Sequence, residues 1–395
     1  MAMTPEATTI TPAVERPEPS PPKPVSQSFH RFAWVDLLRG LSALGVVFFH
    51  SRVDLYAGWN EIHAHPGAYS AIDRTGAYLS LPMAFMGSGV MLFFILSGFC
   101  VHYPYAGGRK AFQGGGYSAR RFLRIYPPYL VAILVTIMLE WAAAALHGPA
   151  SSDSGTTVNS ILMVQNYGPH AGQMAGNPSL WSLPVEMELY VAYPVFLWVL
   201  ARFGVRWSLL LVAAVSGAAC FAMRWGGTFP SGGFLPFWII WCIGAALAEV
   251  VVVRKALRWT PWLWVVAGVC LSGAIYSALK VGHPMVKQYW WTGFYLCVLL
   301  FGLTSTRAKE WLTGKAGKGL AGFGAITYSL YLIHFPLLRL MGAAWTEMAG
   351  AKPGNLFVPI CGSLLCVPAA YGFYRLVERP GHEIARRIGK RLEGA

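Results

Sequence analysis

Apolar runs of about 17–25 residues, each long enough as a helix to cross the hydrocarbon core of a bilayer, recur along most of this chain. Such a pattern excludes a single water-soluble globule, whose helices keep one face polar. Composition agrees: 55% of the 395 residues are hydrophobic and only 12% are charged, where about 25% is usual for a soluble domain. The chain is also basic, with 31 Lys and Arg against 17 Asp and Glu and a net charge of +14. Nucleic acid is the reflex partner of a basic protein, but it requires a concentrated basic face. Here the cations are dispersed between apolar runs, which is the signature of membrane orientation. The expected fold is all-α, a polytopic membrane bundle.

Ten candidate spans can be drawn, at about 33–50, 83–104, 127–147, 182–201, 208–223, 234–253, 261–279, 289–305, 323–342 and 356–377. With the N-terminus cytoplasmic and the ends alternating, 23 basic residues fall inside and 6 outside, while Arg39 and Arg339 lie within spans. That asymmetry orients the bundle with both termini in the cytoplasm, and omitting one span would invert everything after it. Residues 1–28 carry seven prolines and almost no aliphatic side chains, so a disordered cytoplasmic tail is expected there. A membrane domain over 29–380 and a basic cytoplasmic tail over 381–395 complete the division. The tail lacks the charged start and apolar core of a cleaved signal peptide, so the first span must do the targeting. All seven cysteines fall in apolar runs without a C-x-x-C, and they read as packing residues. The longest outer segments, 51–82 and 148–181, are either covers for an acceptor site or plain surface loops.

Ionisable residues inside spans are costly and mark cavities or partners. Arg39 and His50 lie eleven residues apart, so they point to nearly the same side of one helix, about 16 Å apart along its axis. Arg39 can pair with Asp36 near the inner surface, or serve a ligand. Arg120, Arg121 and Arg124 follow Gly114-Gly115-Gly116 just inside the membrane. Their guanidinium forks suit phosphate oxygens, although topology and anionic lipid account for such a cluster equally. Glu186 and Glu188 enter the fourth span from the same side as His50; a His and a carboxylate in a dry cavity make an acid/base pair. Glu188 is expected at the interface, facing solvent. Gly314 to Gly319 lacks the spacing of a phosphate loop, and His63 with His65 lacks a further ligand, so no metal is expected.

Several of these runs resemble the membrane acyltransferase 3 family. They are Asp36-Leu37-Leu38-Arg39-Gly40 with Val46 to His50, Phe93 to Phe99, Arg120 to Pro127, Trp181-Ser182-Leu183 with Glu186, Tyr190 and Pro194, Phe237 to Gly244, Tyr328 to His334, and Tyr374 to Pro380. In order, they cover roughly 33–380. Pro184 departs from the pattern, but it falls in a first helical turn, where proline is tolerated. The chain continues only about 18 residues past its last span, so the extracytoplasmic hydrolase-like domain of many relatives is expected to be absent.

The resemblance implies transfer of an acyl group, usually acetyl, from cytoplasmic acetyl-CoA or another acyl-CoA to a hydroxyl of a surface or secreted carbohydrate. It implies an enzyme of the bacterial inner membrane. The implied site places Arg39, Arg120, Arg121 and Arg124 on the CoA donor and His50 at the acceptor hydroxyl, with Glu186 orienting His50 or binding the sugar. Direct transfer and an acyl-histidine intermediate both remain open. The rival reading is a transporter or flippase for a lipid-linked saccharide, which predicts an inverted repeat between the halves; 33–200 and 208–377 show no convincing self-similarity.

Overall fold

The computed structural model describes residues 33–148, 151–167, 172–224, 233–254, 260–306, 310 and 323–394. The proline-rich 1–28 and the Gly314 to Gly319 run lie outside these described residues. Helices α1 (Ala33–Asp54), α2 (Gly58–Ala64), α3 (Ala71–Leu79), α4 (Gly89–His102), α5 (Gly114–Ala145), α6 (Ser154–Ile161) and α7 (Ser182–Arg224) make up the first half. Then come α8 (Leu235–Glu249), α9 (Trp262–Lys280), α10 (Pro284–Thr304), α11 (Thr327–Ala349), α12 (Phe357–Phe373) and α13 (Arg379–Gly394). No strand occurs among the described residues.

Among the described residues, seven stretches, containing α1, α4, α5, α7, α8, α9 and α12, are long and apolar enough to cross a bilayer. The expected spans at 289–305 and 323–342 fall on α10 and α11, which do not meet that criterion. For α11 the reason is its polar load: Tyr328, Ser329, Tyr331 and His334 are all helical, and Arg339 follows. These groups are sheltered, because α11 packs on α1, α5 and α12 and Ser329 and His334 are fully buried. The expected spans at 182–201 and 208–223 run as one helical stretch, broken at Gly204, whose φ of 72° and ψ of 171° interrupt the helix. Only glycine takes that conformation without strain.

Two prolines inside helices explain how side chains from distant elements come to the centre. Pro194 has no N–H for the carbonyl of Tyr190, one turn earlier in α7. The Tyr117 hydroxyl of α5 donates to that carbonyl at 3.1 Å. Pro336 likewise frees the carbonyl of Leu332 in α11. Asn177, fully buried, donates its side-chain amide to it at 2.8 Å. Each freed carbonyl thus becomes a tether, the second one anchoring the segment before α7 to the bundle. Glu140 of α5 adds another tether, accepting from the Ser152 hydroxyl at 2.6 Å and the Gly176 amide at 2.5 Å.

The expected basic tail at 381–395 is helical up to Gly394 and lies along α5. At this crossing Glu393 accepts from Lys110 at 2.8 Å and pairs with Arg120 at 2.6 Å. All seven cysteines are free thiols.

Candidate active site

A cavity of about 300 Å³ opens between α1, α4, α5, α7 and α11, and the segment joining α12 to α13 closes one side. Three guanidinium groups line it: Arg39 from α1, and Arg121 and Arg124 from α5. The last two are three residues apart and therefore share a helix face. Asp36, Glu186 and Glu378 line the same space. Arg39 both lines the cavity and sits 3.7 Å from Asp36. Arg121 lies over the rings of Tyr117 and Tyr190, at 5.7 and 5.4 Å from their centres. Its Nε is buried without a hydrogen bond among the described residues.

Arg120 does not join this group. One residue from Arg121, it projects about 100° around the helix and forms the ion pair with Glu393. The structure therefore gathers Arg39, Arg121 and Arg124 and leaves Arg120 at the α5–α13 contact.

Glu186 accepts from the Ser97 hydroxyl at 3.0 Å and the Tyr190 hydroxyl at 2.5 Å. Trp241 of α8 donates its indole N–H to Ser97 at 3.3 Å, so α4, α7 and α8 are stitched together at the cavity wall. Glu188 departs from the solvent-facing position expected of it. It is half-buried and accepts from the backbone N–H of Phe234, at the start of α8, at 2.9 Å. That donor is an orphan of the helix start, and a carboxylate is favoured there by the helix dipole.

His50 stands elsewhere than Glu186 in the hydrogen-bond network. Its Nδ1 lies 2.8 Å from Nε2 of His334 on α11, and the two rings stack with centres 5.1 Å apart. Phe49 and Phe335 pack edge-on against His50 at 5.0 Å each. Nδ1 of His334 faces the carbonyls of Leu330 at 3.0 Å and Tyr331 at 2.8 Å. The histidine pair adjoins the cavity at Tyr331, which lines it and whose ring centre is 5.8 Å from that of His334. Tyr331 is held by its hydroxyl, which donates to the Ser179 carbonyl and accepts from Ser182, both at 2.6 Å.

Sequence reasoning missed His334, Tyr331, Ser97 and Glu378 as site residues. The signal that selected His50, an ionisable group inside an apolar helix, applied equally to His334. Glu378 lies beside the cavity fully buried, taking hydrogen bonds from the Ser329 amide at 3.1 Å and hydroxyl at 2.5 Å. Among the described residues no group of three or more His, Cys, Asp or Glu is placed to hold a metal.

Arg39, Arg121 and Arg124, each half-buried, line one cavity of a membrane-type helical bundle, and the His50–His334 pair adjoins it, an arrangement suited to an integral membrane enzyme. The model of the acyltransferase 3 domain matches residues 32–375, and this chain belongs to that family. It is similar to the acyltransferase MdmB of Streptomyces mycarofaciens, 26% identical over 292 residues, covering 70% of this chain and 74% of that protein. It is also similar to the O-acetyltransferase PaAT-1 of Phomopsis amygdali, 24% identical over 376 residues, covering 80% and 74%. No solved structure matches the chain significantly. The protein is an acyltransferase, and the saccharide-transporter reading is not favoured.

Proposed function

We propose that this enzyme moves an acyl group, acetyl by family precedent, from cytoplasmic acyl-CoA to a carbohydrate hydroxyl at the outer side of the inner membrane. The observation that carries the reading is the placement of three arginines around one cavity, which the His50–His334 pair adjoins across Tyr331. A space of about 300 Å³ is at the small end of ligand pockets, roughly 300–1,000 Å³, and the pantetheine arm of the donor is assigned to it. The nucleotide end of the donor then stays at the cytoplasmic mouth. Arg121 and Arg124, at the cytoplasmic start of α5 in the ten-span orientation, meet its phosphates, with Arg39 one step deeper along the arm.

At the acceptor, His50 is the general base. The hydroxyl proton passes to His50 as the oxygen attacks the thioester carbon, and the departing CoA sulfur takes a proton back. Base catalysis of this kind typically contributes about 10²–10⁴-fold. Glu186 is tied to Ser97 and Tyr190, which fits a role in shaping the donor channel or holding the sugar better than one in orienting His50.

The test is transfer of radiolabelled acetyl from acetyl-CoA to a panel of mono- and oligosaccharides by purified, folded His50→Ala protein. Loss of transfer with retained acetyl-CoA binding is expected. Undiminished transfer refutes the base assignment.

A further inference from the structure

The two histidines share one hydrogen bond, and for neutral rings one arrangement of protons satisfies it. Both neighbours of His334 Nδ1, the carbonyls of Leu330 and Tyr331, can only accept. Nδ1 of His334 therefore carries hydrogen, and its Nε2 holds a bare lone pair. Nδ1 of His50, 2.8 Å from that lone pair, must donate. His50 is thereby left with hydrogen on Nδ1 and with an unprotonated Nε2. His334 is fully buried, so water does not compete for these bonds.

From this we infer that His334 is a positioning residue which locks His50 in the tautomer whose Nε2 can take a proton. The inference rests on the reading of His50 as the base, and its consequences separate from it. In the reaction, the acceptor O–H bond breaks and its proton goes to Nε2 of His50. The oxygen electron pair forms the new bond to the thioester carbon. The C–S bond then breaks, and the sulfur leaves with its electron pair and takes the proton from Nε2. While His50 holds both protons it is an imidazolium, and its bond to His334 becomes charge-assisted. Such bonds are about twice as strong as neutral ones. An interaction that strengthens only as the transition state forms raises kcat without tightening substrate binding.

A carboxylate fills this place in the serine protease triad, where the wrong tautomer costs about 10⁴-fold in rate. Here the last acceptors are two backbone carbonyls. Among the described residues no carboxylate hydrogen-bonds to either ring.

The test uses the full chain with two variants at one position. His334→Phe keeps the volume and removes the acceptor. His334→Gln keeps an amide N–H for the carbonyls and an amide oxygen for His50. Expected is a kcat loss of about 10²–10⁴-fold in the Phe variant with an unchanged KM for acetyl-CoA, while Gln restores the rate to within about tenfold, one decade being 1.4 kcal/mol. Equal loss in both variants means a merely structural role and overturns the inference, as does full kcat in the Phe variant. Nitrogen NMR of histidine-labelled protein reads the tautomer without kinetics, His50 being assigned by its loss in His50→Gln. The unsubstituted protein should show a bare Nε2 on His50, and a protonated Nε2 there overturns the proposal. Normal transfer by His50→Ala would instead sink the base reading and leave the tautomer result to stand by itself.

Discussion

Helices α4 and α8 cross through a reciprocal pair of glycines, and one methyl group at either should separate them. A Cβ built on Gly98 would lie 2.0 Å from the carbonyl oxygen of Trp241 and 2.9 Å from its carbon. A Cβ on Gly244 would lie 1.9 Å from the carbonyl oxygen of Ile95. Non-bonded carbon contacts settle near 3.5 Å, so the helices must part by more than about 1 Å, and a gap of that size forfeits up to about half of each dispersion contact across it. Overpacking costs roughly 1–3 kcal/mol, sometimes more. Because the obstructing atoms are backbone and cannot rotate away, Gly98→Ala should fall at the top of that range, about 3 kcal/mol, or roughly a hundredfold in the folding equilibrium. The double variant should lose less than the sum, since the second methyl enters a gap already opened. Acetyl transfer should fall with stability, because Ser97 and Trp241 flank these glycines and hold Glu186. Thermal unfolding of the detergent-solubilised chain measures the effect. Gly217→Ala on α7, where a Cβ meets nothing within 4 Å, is the control and should gain up to about 1 kcal/mol of helix propensity. A Gly98→Ala protein that melts with the wild type would refute the reasoning.

Arg121→Ala and Arg124→Ala should each weaken acetyl-CoA binding by about tenfold or more, the worth of a charge-assisted hydrogen bond, in a calorimetric titration. Arg120→Ala should leave that affinity nearly unchanged and instead loosen α13, seen as faster amide exchange over 379–394; an affinity loss equal to that of Arg121→Ala would return Arg120 to the donor site. Asn177→Ala leaves the Leu332 carbonyl without a donor and should cost about 1–3 kcal/mol in thermal unfolding, with wild-type stability counting against the proline-tether account. Asp153 caps α6 by accepting from the Thr156 amide at 2.9 Å and hydroxyl at 2.5 Å, and these bonds hold its carboxyl below the ordinary 3.8. The stabilisation is therefore complete above that ordinary value and is lost as pH falls through the depressed one. Amide protection over Ser154–Ile161, corrected for intrinsic exchange, should fall in that acid range, and Asp153→Ala should show the same loss at neutral pH.

The membrane class, the family and four of the residues that line the cavity, Arg39, Arg121, Arg124 and Glu186, are legible in the chain before any folding is considered. Bilayer thickness and the desolvation cost of charge act residue by residue, so apolar runs and the exceptional Arg39 and His50 announce themselves locally. Spacing around a single helix was legible too, which is why Arg121 and Arg124 emerge together.

Partnership across helices was not legible. In the sequence His50 and Glu186 approach from the same side, yet the ring partner of His50 is His334, 284 residues away on α11. Nothing in the helix that carries Glu188 shows that α8 begins beside it, so its own segment points to solvent. Arg120 is indistinguishable from its neighbours in the sequence, and only the docking of α13 gives it Glu393.

What the sequence by itself determined is therefore an all-helical chain of membrane type, its family, and the list of groups too costly to bury without purpose. Tertiary structure decided which of those groups meet. Proline-freed carbonyls and glycine crossings set the helix geometry, and hydrogen bonds between groups far apart in the chain exist only once that geometry brings them within about 3 Å.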